Sequence, residues 1–342
     1  MLVGVCDFPG SYAFPPAGYG GIERWLWAAA IGARRAGADV HLLGPLWRPG
    51  LGDGWVTKPV RLEVLTPGTR QLARLRAADY DLLIVGHEYP SLPVWRRAWQ
   101  ELECDVATFQ HAPDFRHVPD TFDGHRSRLY CYSPEMIERC SAHRPRAELA
   151  VHLGLGEEVP PAAGGGSDLV WIGRIDEEKA PHIAVMAAAL LGRQIRIVGP
   201  VFDDAYVTRH RGLFGADHVE MAGELGGAEK IAALQAGCVL VYTCTRRYVE
   251  AGAAVFGESL RAGTPVAALA WGRGTCAEVA LCHDTGAIAM AHPEASDGEA
   301  ASTLAGAIVR AALLKPADVQ EIGQARFDPV RHFHALASRH AS

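Results

Sequence analysis

The sequence lacks the features that would place it in several large classes of protein. Its 342 residues contain no apolar run near the ~20 residues that a membrane helix needs. The opening residues, MLVGVCDFPG, have no basic segment followed by a long apolar one, so they do not resemble a secretory signal. We therefore expect a cytoplasmic protein without a membrane span.

An excess of positive charge and closely spaced cysteine pairs are absent too. The formal net charge is -6, which gives no general attraction to nucleic acid, and we expect no such partner. The eight cysteines include no C-x-x-C pair, and several lie in apolar runs such as CVLVYTC. Free, packed thiols are therefore expected rather than metal ligands or a redox pair.

What the sequence does contain is a regular alternation of short apolar runs and longer amphipathic stretches, which is typical of β–α–β units around a parallel sheet. The alternation breaks once, at 154–167, where GLGEEVPPAAGGGS has the composition of a linker. We predict two doubly wound, Rossmann-like α/β domains, 1–155 and 166–325, with ligands bound in a cleft at the carboxyl ends of the strands. A C-terminal helix, 326–342, is expected to pack back on the first domain. The predicted strands are 2–6, 40–43, 81–85, 105–109, 128–131, 169–172, 195–198, 219–222, 239–243 and 266–269.

The segment EAGAAVFGESLRAGTPVAAL carries two glutamates. Glu250 follows a predicted strand, and Glu258 lies about two turns into the next helix. The helix start, near Gly252 and Ala253, would present backbone N–H groups and a positive dipole end to an anion such as phosphate. One carboxylate can then accept hydrogen bonds from sugar hydroxyls, and the other can hold a ribose diol. The alternative is that Glu250 caps the helix and Glu258 faces solvent.

A second segment, WIGRIDEEKAPHIAV, places two cations after a strand. The strand ends in a glycine, and Arg174 and Lys179 follow before the next helix. Two fixed cations at the carboxyl edge of a sheet can hold a diphosphate and stabilise it as it leaves. The alternative is a solvated loop, because the same stretch carries the acidic residues Asp176, Glu177 and Glu178.

A third segment, GYGGIERW, places Gly20 and Gly21 before a helix, where they would let the backbone approach a ligand closely. It is not the dinucleotide fingerprint G-x-G-x-x-G, because the third glycine is missing. No acidic residue follows the second strand either, since Gly44 and Pro45 stand there. Both absences disfavour a nicotinamide-dependent dehydrogenase.

The order of these motifs is similar to that of the retaining glycosyltransferases of family four, which have the GT-B fold. The resemblance covers nearly the whole chain: GYGGIER, a strand ending in histidine near residue 87, GRIDEEK, and an E-x7-E box that runs into GTPV. The E-x7-E box with GTPV is the most specific part. The sequence looks closest to the sugar transferases of actinomycete oligosaccharide-antibiotic pathways of the avilamycin type.

The resemblance implies an activity and a role for each motif. The enzyme would transfer a glycosyl group from a nucleoside-diphosphate sugar to a hydroxyl of a small-molecule or oligosaccharide acceptor, with retained anomeric configuration. No metal and no cofactor other than the donor substrate would be needed. Arg174 and Lys179 would bind the donor diphosphate. Glu258 would bind the ribose, and Glu250 would contact the transferred sugar.

The resemblance also covers the N-terminal half. Gly20 and Gly21 would lie under the donor phosphate, at the mouth of the acceptor site. His87 would line the acceptor side, although a locally packed histidine at a strand end is an equal alternative. The D-x-D spacing at 79–81 is that of metal-dependent transferases, but it precedes a strand, so we interpret it as a turn between helix and strand.

Three positions depart from the family pattern. Gly252-Ala253 stands where members usually have Phe-Gly, which changes the floor of the pocket and leaves the donor sugar open. Ser259 replaces the usual alanine. Ungapped matching puts Gln110 at the family's histidine position, with His111 one place later. We expect His111 to fill the role, because it can hydrogen-bond a sugar hydroxyl or support the oxocarbenium ion through its carbonyl.

Two other functions stay open on the sequence alone. A nucleotide-sugar 2-epimerase shares the two-domain architecture and uses carboxylates in the cleft, but it needs no acceptor. A non-catalytic sugar-nucleotide binding protein would bind the donor without turning it over. Donor turnover with and without an acceptor separates all three.

Overall fold

Two parallel β-sheets organise the chain in the computed structural model, which describes residues 1–7, 13–18, 20–52, 54–60, 68–86, 91, 101–122, 127–162 and 165–340. In chain order the strands are β1 (Leu2–Cys6), β2 (Asp39–Leu43), β3 (Val56–Lys58), β4 (Leu82–Gly86), β5 (Asp105–Phe109), β6 (Ser127–Cys131), β7 (Ala147–Leu149), β8 (Leu169–Ile172), β9 (Ile195–Val198), β10 (Val219–Gly223), β11 (Val239–Tyr242), β12 (Val266–Ala270) and β13 (Gly286–Met290). The helices are α1 (Gly21–Arg35), α2 (Arg70–Ala77), α3 (Pro134–Arg139), α4 (Pro181–Leu190), α5 (Asp204–Arg209), α6 (Arg211–Phe214), α7 (Gly227–Ala236), α8 (Ala254–Ala262), α9 (Cys276–Ala280), α10 (Asp297–Ala311), α11 (Pro316–Arg326) and α12 (Pro329–His340), with a 3-10 helix at Ser141–Arg146.

The chain divides into two compact units. The N-terminal unit comprises Met1–Pro16, Gly20–Glu157 and Asp328–Ser342, and the C-terminal unit comprises Ala17–Tyr19 and Glu158–Phe327. Within the described part of the chain, no helix has the length and apolar character to cross a membrane. All eight cysteines are free thiols, as predicted.

The N-terminal unit is built on a parallel sheet of order β3-β2-β1-β4-β5-β6-β7. Strands β4 and β5 are buried along their full length, as expected for parallel strands whose two faces are both covered. Helix α12 supplies Phe333 and Leu336 to the core that α1 also covers. Glycine at 32 permits this packing, since a Cβ there would lie 2.2 Å from the Pro329 carbonyl oxygen. The last residue of α12, His340, is buried and hydrogen-bonds to Asp105 Oδ2 at 3.0 Å.

The C-terminal unit is built on a second parallel sheet, of order β10-β9-β8-β11-β12-β13. Strands β11 and β12 are fully buried, and the apolar faces of α4 and α10 cover the sheet. Strand β8 is joined to the loop after β11 by a hydrogen bond from Trp171 Nε1 to Thr243 Oγ1, 2.9 Å long. In this sheet the strand order reverses between β8 and β11, which is where doubly wound folds bind their ligands.

The ten strands predicted from the sequence are confirmed, each within one residue at either end. Three strands were missed, β3, β7 and β13, and each lies at an edge of its sheet. An edge strand has a neighbour on one side only, so it needs less apolar sequence. The segments VTK and AEL of β3 and β7 accordingly carry no apolar run.

Candidate functional site

The two sequence motifs of the C-terminal unit come together at the point where its strand order reverses. Strands β8 and β11 are neighbours and pair in parallel, so the loops that follow them leave the sheet side by side. The loop after β8 carries Arg174 and Lys179, and the loop after β11 carries Glu250. Helix α8 begins directly after that second loop, at Ala254.

Asp176 organises the loop after β8. Its side chain is buried, and its Oδ1 accepts a hydrogen bond from the Lys179 backbone N–H at 2.9 Å. The Lys179 carbonyl in turn accepts a hydrogen bond from Thr243 Oγ1 at 2.7 Å. The next residue, Ala180, has a left-handed conformation with φ 46°. The backbone of Lys179 is thus held on both sides, which fixes where its side chain starts. The solvated-loop alternative treated Asp176 as one of the exposed acids, and this is wrong.

Lys179 and Glu250 bind each other. The Lys179 ammonium contacts Glu250 Oε2, and each side chain is only 13% exposed. The Tyr242 hydroxyl donates to the same oxygen at 2.9 Å. The Tyr248 ring also contacts the ammonium, with its centroid 4.6 Å from Nζ. A cation and a carboxylate are therefore held together, largely out of water, with Tyr242 and Tyr248 as neighbours.

Both tyrosines are neutral donors at physiological pH. Burial raises the pKa of Tyr242 well above its usual value, and the Glu250 carboxylate raises it further. Burial and then Glu250 also raise the pKa of Tyr248, against an opposing effect of Lys179. Each phenol group therefore keeps its proton and can donate a hydrogen bond to a carboxylate or a phosphate.

Arg174 lies in the same loop and is paired with acidic neighbours. Its Nη2 donates to Glu178 Oε2 at 2.8 Å, and its Nε lies 3.3 Å from Asp176 Oδ2. The guanidinium group also lies 5.5 Å from the centre of the Phe202 ring. Its side chain is 25% exposed, so the charge is accessible at the edge of the sheet.

The start of α8 offers backbone N–H groups, but not all of those expected. Gly252 and Ala253 precede the helix, and Ala253 provides no side-chain cap. The backbone of Ala253 faces the Cys276 thiol and lowers its pKa, against the larger effects of burial and Glu250, which raise it. The groups best placed for an anion are therefore those of Ala254 and Val255, since the first turn of a helix has no partners within the helix itself.

Glu258 is buried inside the unit. It is 2% exposed, so the alternative that it faces solvent is wrong. Its Oε1 lies 2.5 Å from Nζ of Lys230 on α7. The Lys230 side chain is buried too. Sequence spacing does not indicate Lys230 as a partner, because the contact joins α7 and α8, whose preceding strands β10 and β11 are not neighbours in the sheet.

The glycine pair and the histidines lie in the N-terminal unit. Gly20 precedes α1 with φ 144°, a conformation that favours glycine, and a Cβ there would lie 2.8 Å from the buried Glu23 carboxylate. Gly21 is the first residue of α1. His87 lies outside the described residues. The D-x-D stretch at 79–81 lies between α2 and β4, so its interpretation as a turn is confirmed.

Gln110 and His111 have different surroundings. Gln110 is fully buried, and its amide nitrogen donates to the carbonyls of Ala112 and Phe115 at 2.7 and 3.1 Å. Its Oε1 lies 2.8 Å from His117 Nε2. Both ends of the Gln110 amide thus hold the loop after β5.

His111 is less buried than Gln110, and its Nε2 lies 3.3 Å from the Tyr132 hydroxyl. Its ring packs edge-on against Trp25 with centroids 5.2 Å apart, and against His152 with centroids 5.6 Å apart. The aromatic neighbours fix the plane of the imidazole. Of the two adjacent residues, His111 is therefore the one that can offer a side chain to a ligand.

Comparison with known proteins gives structural matches and no sequence matches. No protein-family model and no curated protein sequence matches the chain. AviGT4, a glycosyltransferase involved in avilamycin A biosynthesis, is similar with a TM-score of 0.72 and 21% identity over 100% of this chain and 97% of that one. WaaG, a glycosyltransferase involved in lipopolysaccharide biosynthesis, has a TM-score of 0.62 and 14% identity over 99% of both chains. A UDP-GlcNAc 2-epimerase from Neisseria meningitidis has a TM-score of 0.51 and 8% identity over 99% of both chains.

These similarities show the fold. The two parallel sheets with their flanking helices form the two-domain, Rossmann-like GT-B fold, as the sequence predicted. Glycosyltransferases and an epimerase share this fold, so the choice of function depends on the residues of the site.

Proposed function

We propose that this protein is a retaining glycosyltransferase that uses a nucleoside-diphosphate sugar as its donor. The observation that carries the proposal is the juxtaposition of Lys179 and Glu250 where the strand order reverses, beside the start of α8. A cation suits a diphosphate, and a carboxylate suits the hydroxyls of a sugar. In a nucleoside-diphosphate sugar the diphosphate and the sugar are adjacent, because the diphosphate is bound to the anomeric carbon of the sugar.

The proposed chemistry follows from the charges. Departure of the diphosphate from an oxocarbenium-like centre builds negative charge on the leaving oxygen. Arg174 and Lys179, together with the N–H groups of Ala254 and Val255, would stabilise that charge. The Lys179 ammonium would move from Glu250 toward the phosphate, and Glu250 would accept from the sugar hydroxyls.

Retention and the absence of a metal are parts of the same proposal. Two cations and a helix N-terminus supply the charge that a metal supplies elsewhere, so no metal and no further cofactor are needed. Front-face attack, with the leaving phosphate oxygen taking the acceptor proton, is the mechanism that the family resemblance favours. The acceptor would be a small molecule or an oligosaccharide in antibiotic or other secondary metabolism, and His111 would hydrogen-bond a hydroxyl on the acceptor side. The glycines at 20 and 21 would let the backbone approach the donor phosphate.

The alternative function is a nucleotide-sugar 2-epimerase, which the structural similarity to such an enzyme keeps in view. An epimerase consumes its donor without an acceptor. A non-catalytic binding protein would give no turnover at all.

The deciding experiment incubates the full-length protein with a panel of nucleotide sugars, with and without a panel of hydroxyl acceptors. Free nucleoside diphosphate and the anomeric configuration of the product would be followed by NMR. We expect diphosphate release that depends on the acceptor and a product of unchanged anomeric configuration. An inverted product would contradict the retaining mechanism, and a 2-epimer formed without acceptor would establish the alternative.

A further inference from the structure

A lysine and a glutamate face each other inside the C-terminal unit. Lys230 Nζ and Glu258 Oε1 are 2.5 Å apart, and the two side chains are 8% and 3% exposed. Lys230 lies in the first turn of α7, and Glu258 is the middle residue of α8. Because both helices follow parallel strands, their first turns point to the carboxyl edge of the sheet. The pair therefore lies on the side of the sheet where the donor is proposed to bind.

Stability alone is a poor reason for such a pair. Removing two charges from water costs free energy that their attraction only partly returns, and apolar side chains of similar volume often serve as well. A neutral hydrogen bond, 2.6 Å long from Thr264 Oγ1 to the Leu234 carbonyl, also joins the segment after α8 to α7. The charged pair at this position therefore points to a function other than stabilising the fold.

We propose that Lys230 is a positioning residue that holds Glu258 as an oriented carboxylate for the ribose of the donor, and that the site thereby selects ribonucleoside over 2′-deoxyribonucleoside diphosphates. The inference rests on the proposed function. A carboxylate has about four acceptor positions, so an oxygen bound to an ammonium group can still accept from a diol. The ammonium fixes the plane of the carboxylate and compensates its charge in a buried place.

The proposed preference for ribonucleotides follows from the free-energy cost of a missing 2′-hydroxyl. A buried charged acceptor that loses its donor pays a larger penalty than a neutral one, since charge-assisted hydrogen bonds are the stronger ones. Sites built to bind a hydroxyl therefore reject the analogue that lacks it. Donors built on a 2′-deoxyribose would accordingly be poor ligands for this site.

The test is isothermal titration of the full-length protein with three matched pairs: UDP and 2′-deoxy-UDP, ADP and 2′-deoxy-ADP, and GDP and 2′-deoxy-GDP. For the ribonucleotide that binds best, we expect the 2′-deoxy form to bind ~10-fold or more weakly. Replacing Lys230 by methionine should bring the two dissociation constants within ~3-fold of each other, and Lys230→Arg should restore the discrimination. A purely structural role for Lys230 would change stability and both affinities together, and would leave their ratio unchanged.

Two further variants test whether the effect is specific to the charge of Lys230. Arg196→Met removes another cation of the same unit. Arg196 lies in β9 and pairs with Glu220 of β10, where both side chains are partly exposed. This replacement should leave the ratio of the two dissociation constants unchanged. If Lys230→Met fails to fold, Lys230→Gln removes the charge, keeps a donor, and should still lower the ratio. Equal binding of the two forms by the wild type, or an unchanged ratio in a folded charge-removing variant, would overturn the inference. If none of the nucleotides binds, the proposed function itself fails.

Discussion

Lys179 and Glu250 follow two neighbouring strands, and their side chains bind each other through the ammonium group and Oε2. They are the cation proposed for the donor diphosphate and the carboxylate proposed for the transferred sugar. The pairing keeps both groups at the edge of the sheet when no donor is bound. Binding of the proposed donor would therefore exchange one ionic contact of Lys179 for another.

Replacing either proposed diphosphate cation should slow the chemical step. We expect Lys179→Ala and Arg174→Ala each to lower kcat by ~10²-fold or more, because each stabilises charge that develops on the leaving group. Thermal unfolding should show that both variants are folded. Arg209→Ala is a matched control, since Arg209 is an exposed arginine of the same unit that pairs with Glu177. Activity of both variants within about twofold of the wild type would refute the diphosphate assignment.

The two glutamates should differ in what they affect. Glu250→Gln keeps the shape and loses the charge, so we expect kcat to fall while the affinity for the bare nucleoside diphosphate hardly changes. Glu258→Gln should mainly weaken donor and nucleotide binding, and therefore raise KM more than it lowers kcat. Steady-state kinetics and titration calorimetry on both variants measure these quantities. The opposite pattern would exchange the two roles.

The adjacent residues Gln110 and His111 give a second contrast. Gln110→Ala removes a buried amide that bonds to two carbonyls and a histidine, and should cost about 2 kcal/mol or more of unfolding free energy. His111→Ala should lower acceptor-dependent turnover with a much smaller effect on stability. Urea unfolding and steady-state kinetics on the two variants check this. Loss of turnover in a fully stable Gln110→Ala variant, with an active His111→Ala, would reverse the assignment.

Metal removal should leave the proposed transferase activity intact. We expect turnover to survive exhaustive dialysis against EDTA, because Arg174, Lys179 and the start of α8 supply the positive charge. A protein dialysed without chelator serves as the control. Complete loss of turnover that Mn²⁺ or Mg²⁺ restores would show that a metal has the role assigned here to the two cations.

Stability of the N-terminal unit should fall in mild acid through His332. Burial lowers the pKa of His332 from 6.5 to about 4, with Arg339 as a smaller cause. Its ring packs against Trp25 and Phe109, and its Nε2 is buried. Since the folded-state pKa is the lower one, the unfolded chain binds the proton first. The contribution is complete above pH ~6.5 and is lost as the pH falls toward ~4.

The slope from one such group is at most ~1.4 kcal/mol per pH unit. In His332→Phe the unfolding free energy should depend less on pH between 6.5 and 4, because the replacement cannot bind a proton. Urea titrations of both proteins at a series of pH values measure the difference. Identical slopes would mean that His332 titrates normally.

The sequence predicted the architecture well because burial on both faces demands apolar runs. Strand β11, for example, has the apolar sequence VLVY and is fully buried, as expected for a strand inside a parallel sheet. It also singled out Arg174, Lys179 and Glu250, because each follows a strand and ligands bind at that edge.

The partners of those residues could not be predicted in the same way. Tyr242 looks like any other apolar residue at the end of a buried strand, yet its hydroxyl bonds to Glu250. Asp176 looks like a surface acid among other charges, yet it fixes the loop after β8. Lys230 and Glu258 meet only because α7 and α8 pack together. Each of these contacts depends on tertiary packing, which local spacing does not encode.

Helix α12 has a consequence for the order of events during synthesis. It follows the C-terminal unit in the sequence, but Phe333 and Leu336 belong to the core of the N-terminal unit, which otherwise ends at Glu157. While the ribosome still holds this helix, Trp25 and Phe109 lack part of their covering. The C-terminal unit, complete at Phe327, can therefore mature before the unit that was translated first, the reverse of the usual order for multidomain chains.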